Sequence, residues 1–313
     1  MSAMNKKNGT TLPTIAVLIA AALWGSFWIP LRQITETGIS GAWATILVYG
    51  GPLVLMLPIV AFRGKRAGSF GWGALWVGAA SGICNTFYGM GFIEGEVSKV
   101  MLLFYLNPIW AALLERTILK TPIVRSRQLT ILLGFLGMAV LVSGNGSVLP
   151  LPRNISEWFG VIAGFFWALS MVGMRYSGEG DIIPKSCYQF LFGLVGCGII
   201  LFSGLFPGEL WPQPGQLAAA MPWTVITVFL WIFPTMVLAF WGISFMSPSK
   251  ASILFMLEAI VGVVSAAIFT DEPFGWREIV GGLLILSAAL FDILFTGGDP
   301  DTANGDCKLK AAE

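Results

Sequence analysis

Ten apolar segments recur along the chain, at 13–31, 40–62, 72–93, 100–119, 128–145, 157–174, 187–206, 222–246, 251–270 and 276–296. Each is near the roughly 20 residues that a helix needs to cross a hydrocarbon core about 30 Å thick. The loops between them are short and carry the lysines and arginines. This alternation predicts an all-α polytopic membrane protein with ten transmembrane helices.

The segments are not ten independent sequences. Residues 98–122, SKVMLLFYLNPIWAALLERTILKTP, align without a gap with 249–273. Ser98 falls on Ser249, Lys99 on Lys250, Phe104 on Phe255, Leu106 on Leu257, Asn107 on Glu258 and Pro122 on Pro273. Residues 18–32, LIAAALWGSFWIPLR, match 161–175, VIAGFFWALSMVGMR, which sets Trp24 on Trp167 and Arg32 on Arg175. The fifth segment likewise resembles the tenth. A repeat of this kind fixes the architecture before any motif does. Five is odd, so the second copy crosses the membrane in the opposite sense, giving two five-helix inverted-topology repeats. Inverted repeats are a transporter architecture, with the substrate site near the midplane between the copies. The organisation expected is a cytoplasmic N-terminal tail (1–12), a first repeat (13–148), a second repeat (149–297) and a disordered cytoplasmic tail (298–313).

Composition agrees: 56% of residues are hydrophobic and 11% charged, against about 25% charged in soluble domains. With the N-terminus in the cytoplasm, fourteen lysines and arginines fall on the cytoplasmic side and four outside, a positive-inside bias that puts both termini in the cytoplasm. The apolar segment after Lys6 and Lys7 resembles a signal peptide, but its counterpart deep in the chain argues for a retained helix. The cations are scattered, with no basic run for nucleic acid. There are no histidines, and the four cysteines form neither a disulfide framework nor a zinc spacing. No Walker loop, nucleophile elbow or facing aspartate pair is present. An enzyme, a metal site and a cofactor are therefore not expected.

Glu258 is the sharpest candidate. It lies eight residues past Lys250, about 12 Å along a helix, near the middle of the membrane. An ionisable residue there costs roughly 2.5–3.5 kcal/mol on insertion scales and is a functional-site hypothesis by default. Helical spacing places it on one face with Ala251, Phe255, Gly262 and Ser265. Ile253, Met256, Ile260, Val264 and Ala267 form the opposite face, suited to lipid. Glu258 is the only formal charge placed deep in the membrane, and no deep lysine or arginine would neutralise an anion, so it is read as a proton site, a counter-charge for an amine, or both in turn. The alternative is a structural carboxyl bonded to a neighbouring helix. Asn107 precedes Pro108, which kinks the fourth helix; it either hydrogen-bonds a substrate or serves packing. Trp24, Trp167, Tyr88, Tyr105, Phe104 and Phe255 are candidates for cavity walls, with ordinary packing as the competing account, and the Trp24/Trp167 pair stands out because it recurs. Asn85, Thr86 and Ser170 are polar at membrane depth and read equally as ligand contacts or interhelical bonds. Arg32 and Arg175 read as snorkelling residues.

Two five-helix copies carrying LIAAALWGSFWIPLR, LFYLNPIWAALLE and LFMLEAIVGVVSAAIFTDEPFGWREIVGGLLILSAAL resemble the drug/metabolite transporter superfamily in its EamA-type branch, over about residues 13–297. The Leu-Glu-Pro common in the family's ninth helix lands on Leu257, Glu258 and Ala259, so the family's proline is missing here. The resemblance implies a secondary transporter of small organic solutes in a bacterial inner membrane. Combined with the residues, it gives an exporter of amino acids or related amine metabolites, working by alternating access and either proton-linked or facilitative. Substrate contacts are expected from Glu258, Asn107, Trp24, Trp167, Tyr88, Tyr105, Asn85 and Phe255, with Glu258 as the proton-coupling group. Partners are the small-molecule substrate, the lipid bilayer and protons, in a monomer or homodimer. Two other functions fit less well: multidrug efflux of lipophilic cations, and a non-transporting scaffold or accessory subunit.

Overall fold

The computed structural model describes residues 2–64, 68–94, 97–121, 125–142, 152–177, 182–204, 211–269 and 275–295. The described residues form ten helical spans and no strand. The first span is α1 (Ser2–Gly25) followed by α2 (Trp28–Thr35), the second α3 (Gly41–Arg63) and the third α4 (Trp72–Glu94). The fourth is α5 (Val97–Phe104) and α6 (Asn107–Leu114) with a π-helical turn at Glu115–Leu119, and the fifth is α7 (Arg125–Val142). The second repeat gives α8 (Ile155–Ser177) and α9 (Ile182–Phe202) as the sixth and seventh spans. The eighth is α10 (Pro214–Thr227), a π-helical turn (Val228–Ile232) and α11 (Phe233–Ser244). The ninth is α12 (Pro248–Phe255) and α13 (Leu257–Phe269), and the tenth α14 (Trp276–Phe295). Helix α1 begins at Ser2, and its stretch apolar enough to cross a membrane begins at Thr11. The tail 298–313 lies outside the described residues.

Among the described residues, seven spans are long and apolar enough to cross a membrane by length and composition. Of the others, α4 is diluted by glycine, Ser81, Asn85 and Thr86.

Three spans break, and the first two breaks have a proline as cause. In the first span Pro30 has no amide to give the Ser26 carbonyl, which takes the Ile29 amide instead at 3.1 Å. In the fourth span Pro108 strands the carbonyl four residues back, that of Phe104. The Asn107 side chain fills the vacancy, its Nδ2 donating to Phe104 O at 3.2 Å. The ninth span breaks at the matching register although Ala259 replaces the expected proline. There Met256 N bonds to Ile253 O and Ala259 N to Met256 O, each at 3.2 Å.

The repeats interlock. Helix α1 packs on α11, α12 and α13 of the second copy, and its counterpart α8 packs on α4, α5 and α6 of the first. Two glycines permit the approach. A Cβ on Gly25 would collide with the backbone of Glu258, and one on Gly164 would lie 2.5 Å from Phe104 O. The first span of each copy is thus seated on the break in the other copy's fourth.

One sequence expectation is corrected here. Ile253 and Met256 do not face lipid; both are fully buried, because α12 is enclosed by α1, α6, α7, α8 and α14. Besides Glu258, charges are also buried toward the helix ends. Arg127 Nε pairs with Asp292 Oδ1 at 2.9 Å, and Arg127 Nη1 donates to Ser247 Oγ at 2.6 Å and Ser249 Oγ at 2.9 Å. Ser249 in turn donates to Glu115 Oε2 from its hydroxyl, at 2.7 Å, and its amide, at 3.2 Å. These groups lie near helix ends, where α7 and the fourth span of copy one meet α12 and α14 of copy two.

Candidate functional site

At the breaks the interlocked repeats enclose a narrow cavity. Glu258 stands in the first turn of α13 and lines it. Its side chain is buried, at 4% exposure. The Tyr88 hydroxyl, from α4, donates toward Glu258 Oε1 at 3.5 Å, long for an O–H···O bond. The buried Tyr105 hydroxyl lies near enough to interact with the same carboxylate but completes no hydrogen bond. Cys84 lines the same cavity. Among the described lining residues there is no lysine or arginine.

The walls come in pairs related by the repeat. Trp24 and Trp167 both line the cavity, as do Phe104 and Phe255. The alignment that sets Ser98 on Ser249 also sets Cys84 on Thr235, Asn85 on Met236 and Tyr88 on Ala239, and all six of these line it too. Glu258 alone has no counterpart there, since Asn107 faces its own backbone. Aromatic contacts set the wall geometry: Trp167 meets Phe255 edge-on at 5.4 Å, Tyr88 meets Phe104 at 4.4 Å, and Trp24 stacks on Phe27 at 5.1 Å.

Six of the residues expected at a site therefore come together: Glu258, Trp24, Trp167, Tyr88, Asn85 and Phe255. Tyr105 stands behind the carboxylate, outside the lining. Asn107 is fully buried and away from the cavity. Thr86 bonds across to Gly193 O of α9 at 3.3 Å, and Ser170 back to Trp167 O. Arg32 pairs with Glu36 at an exposed helix end, and Arg175 Nη1 donates to Ser244 O at 3.1 Å. The eighth span's contribution of Thr235, Met236 and Ala239 went unread in the sequence. Carrying the repeat alignment from the fourth and ninth spans back to the third and eighth would have found it.

The model of the EamA-like transporter family matches residues 11–143 and again 154–293. The chain belongs to the EamA-like transporter family. Its two EamA domains are the two repeats that interlock around the cavity, and the protein is an integral membrane transporter, not an enzyme. A curated relative, the uncharacterized transporter YyaM of Bacillus subtilis (strain 168), is 26% identical over 201 residues. The match takes in 60% of this chain and 62% of that protein's length. A crystal structure titled only as that of a protein superposes with a TM-score of 0.68 at 13% identity, covering 90% of this chain and 96% of the other. That likeness is one of fold alone.

Proposed function

We propose that this EamA transporter moves small organic amines, amino acids or related metabolites, by alternating access, and that Glu258 takes a proton and the substrate ammonium group in turn. One observation carries the reading: a buried carboxylate enters an aromatic cavity between the repeats, and among the described lining residues no cation balances it. Burying a lone charge is costly, so such a carboxyl is occupied by a proton or by a cation. Trp24, Trp167 and Phe255 supply aromatic walls for the same cation. At the helix breaks beside Glu258 the amides of Leu106, Ile109, Met256 and Ala259 are bonded within their own spans. In this reading the loop charges put both termini in the cytoplasm, and the family resemblance favours net export across a bacterial inner membrane. The mostly apolar walls favour one second reading, efflux of lipophilic cations.

The test is uptake into proteoliposomes from a panel of labelled amines, amino acids, quaternary cations and carboxylic acids. Saturable uptake of amines, with poor competition by the acids, is expected. Preference for the acids would overturn the proposal, and indifference among unrelated hydrophobic cations would replace it with the efflux reading.

A further inference from the structure

Hydroxyls in the membrane-spanning helices of this protein are almost all turned back on their own backbone. Thr224 bonds to Ala220 O at 3.0 Å and Thr227 to Trp223 O at 2.6 Å, in the same span as Thr235. That is the ordinary fate of threonine in a helix with no water to bond. Thr235 departs from it. Its Oγ1 is buried, it has no hydrogen-bond partner, and its side chain lines the cavity. Thr235 itself is 2% exposed.

The carbonyl that the Thr235 hydroxyl would bond is four residues back, that of Trp231, which lies inside the π-helical turn Val228–Ile232. In that turn the Phe233 amide reaches five residues back to Val228 O. The Thr235 hydroxyl makes no bond to the Trp231 carbonyl. Pro234, just before Thr235, sits where the helix re-forms. Wide turns of this kind recur at functional sites. This one is followed by a residue that lines the cavity and carries a buried hydroxyl unsatisfied by the protein.

We infer that Thr235 is a specificity-determining contact, whose hydroxyl binds a second, uncharged hydrogen-bonding group of the substrate. The preferred substrates are then amines that also bear a hydroxyl or carboxamide, ahead of plain amines. Asn85 lines the same cavity from α4 and adds a carboxamide to this polar subsite. The inference rests on the amine reading of Glu258 and specifies the other end of the ligand. The matching position in copy one is Cys84, a weaker donor, so the hydroxyl contact comes from the second copy alone.

The experiment is competition against labelled 2-phenylethylamine uptake in proteoliposomes. The competitors are unlabelled 2-phenylethylamine, tyramine, 2-amino-1-phenylethanol and phenylalaninamide. In the wild type at least one polar relative should compete roughly three- to tenfold better than the parent amine, the worth of one hydrogen bond. Thr235→Val should erase that ratio and Thr235→Ser should keep it. The ratio is taken within each variant, so a change in overall rate cancels. No polar advantage in the wild type, or an advantage that survives Thr235→Val, overturns the inference while leaving the amine reading intact. Failure of 2-phenylethylamine itself to enter, with acids taken up instead, overturns both.

Discussion

The fourth and ninth spans are the same helix written twice, and both break at the same register, yet the residue at the break does opposite things. In the fourth span Pro108 removes an amide and strands the Phe104 carbonyl. Asn107 spends its side chain on that carbonyl. In the ninth, Ala259 keeps its amide and gives it to Met256 O, and the side chain of Glu258 is left for the cavity. The first copy supplies phenol groups toward the carboxylate, Tyr88 and Tyr105; at the matching positions the second has Ala239 and Met256. Duplication made a symmetric chamber, and divergence at a handful of positions gave it one charged wall. A repeat therefore identifies where a site lies, while the departures from the repeat identify what it does.

Four predictions break or sharpen that comparison. The largest effect is expected at the cluster holding the two spans in register. Arg127→Met leaves Asp292 buried without its partner and should cost about 3–5 kcal/mol, read as thermal stability in detergent. Adding Asp292→Leu should recover most of that loss. Asn107→Ala should cost about 1–3 kcal/mol by exposing the Phe104 carbonyl to an apolar surround. Its transport should keep the wild-type pH dependence; a lost pH dependence would place Asn107 in the chemistry. Tyr88→Phe removes the hydroxyl aimed at Glu258 and should weaken amine competition about three- to tenfold. The smallest effect is expected for Ala259→Pro, which restores the family's residue where the helix is already broken. It should cost under about 1 kcal/mol, whereas proline at Val263, inside α13, should cost about 3 kcal/mol.

Much of this was legible in the chain. The apolar segments and the repeat gave the ten spans, and segment length placed Glu258 at mid-depth. The recurrence of Trp24 and Trp167 marked two walls. Three things were hidden for physical reasons. The role of Asn107 depends on which carbonyl Pro108 strands, a count of four residues that hydropathy does not make. The burial of Ile253 and Met256 depends on α12 being enclosed on all sides, and a helical wheel sees only one helix. Thr235 was missed because Cys84, Asn85 and Tyr88 share no residue with Thr235, Met236 and Ala239, so the third and eighth spans do not advertise their relation. The π-helical turn that precedes it has no sequence signature of its own.

The central claim is that Glu258 exchanges a proton for an amine. Its most direct test is proton flux in proteoliposomes under an imposed pH gradient, followed with an internal pH dye on adding an amine substrate, wild type beside Glu258→Gln. The account predicts amine-triggered proton movement in the wild type and its loss, by at least about 100-fold, in the variant, in which the neutral amide can neither release a proton nor balance an ammonium group. Amine-triggered proton flux of wild-type size in Glu258→Gln would contradict it.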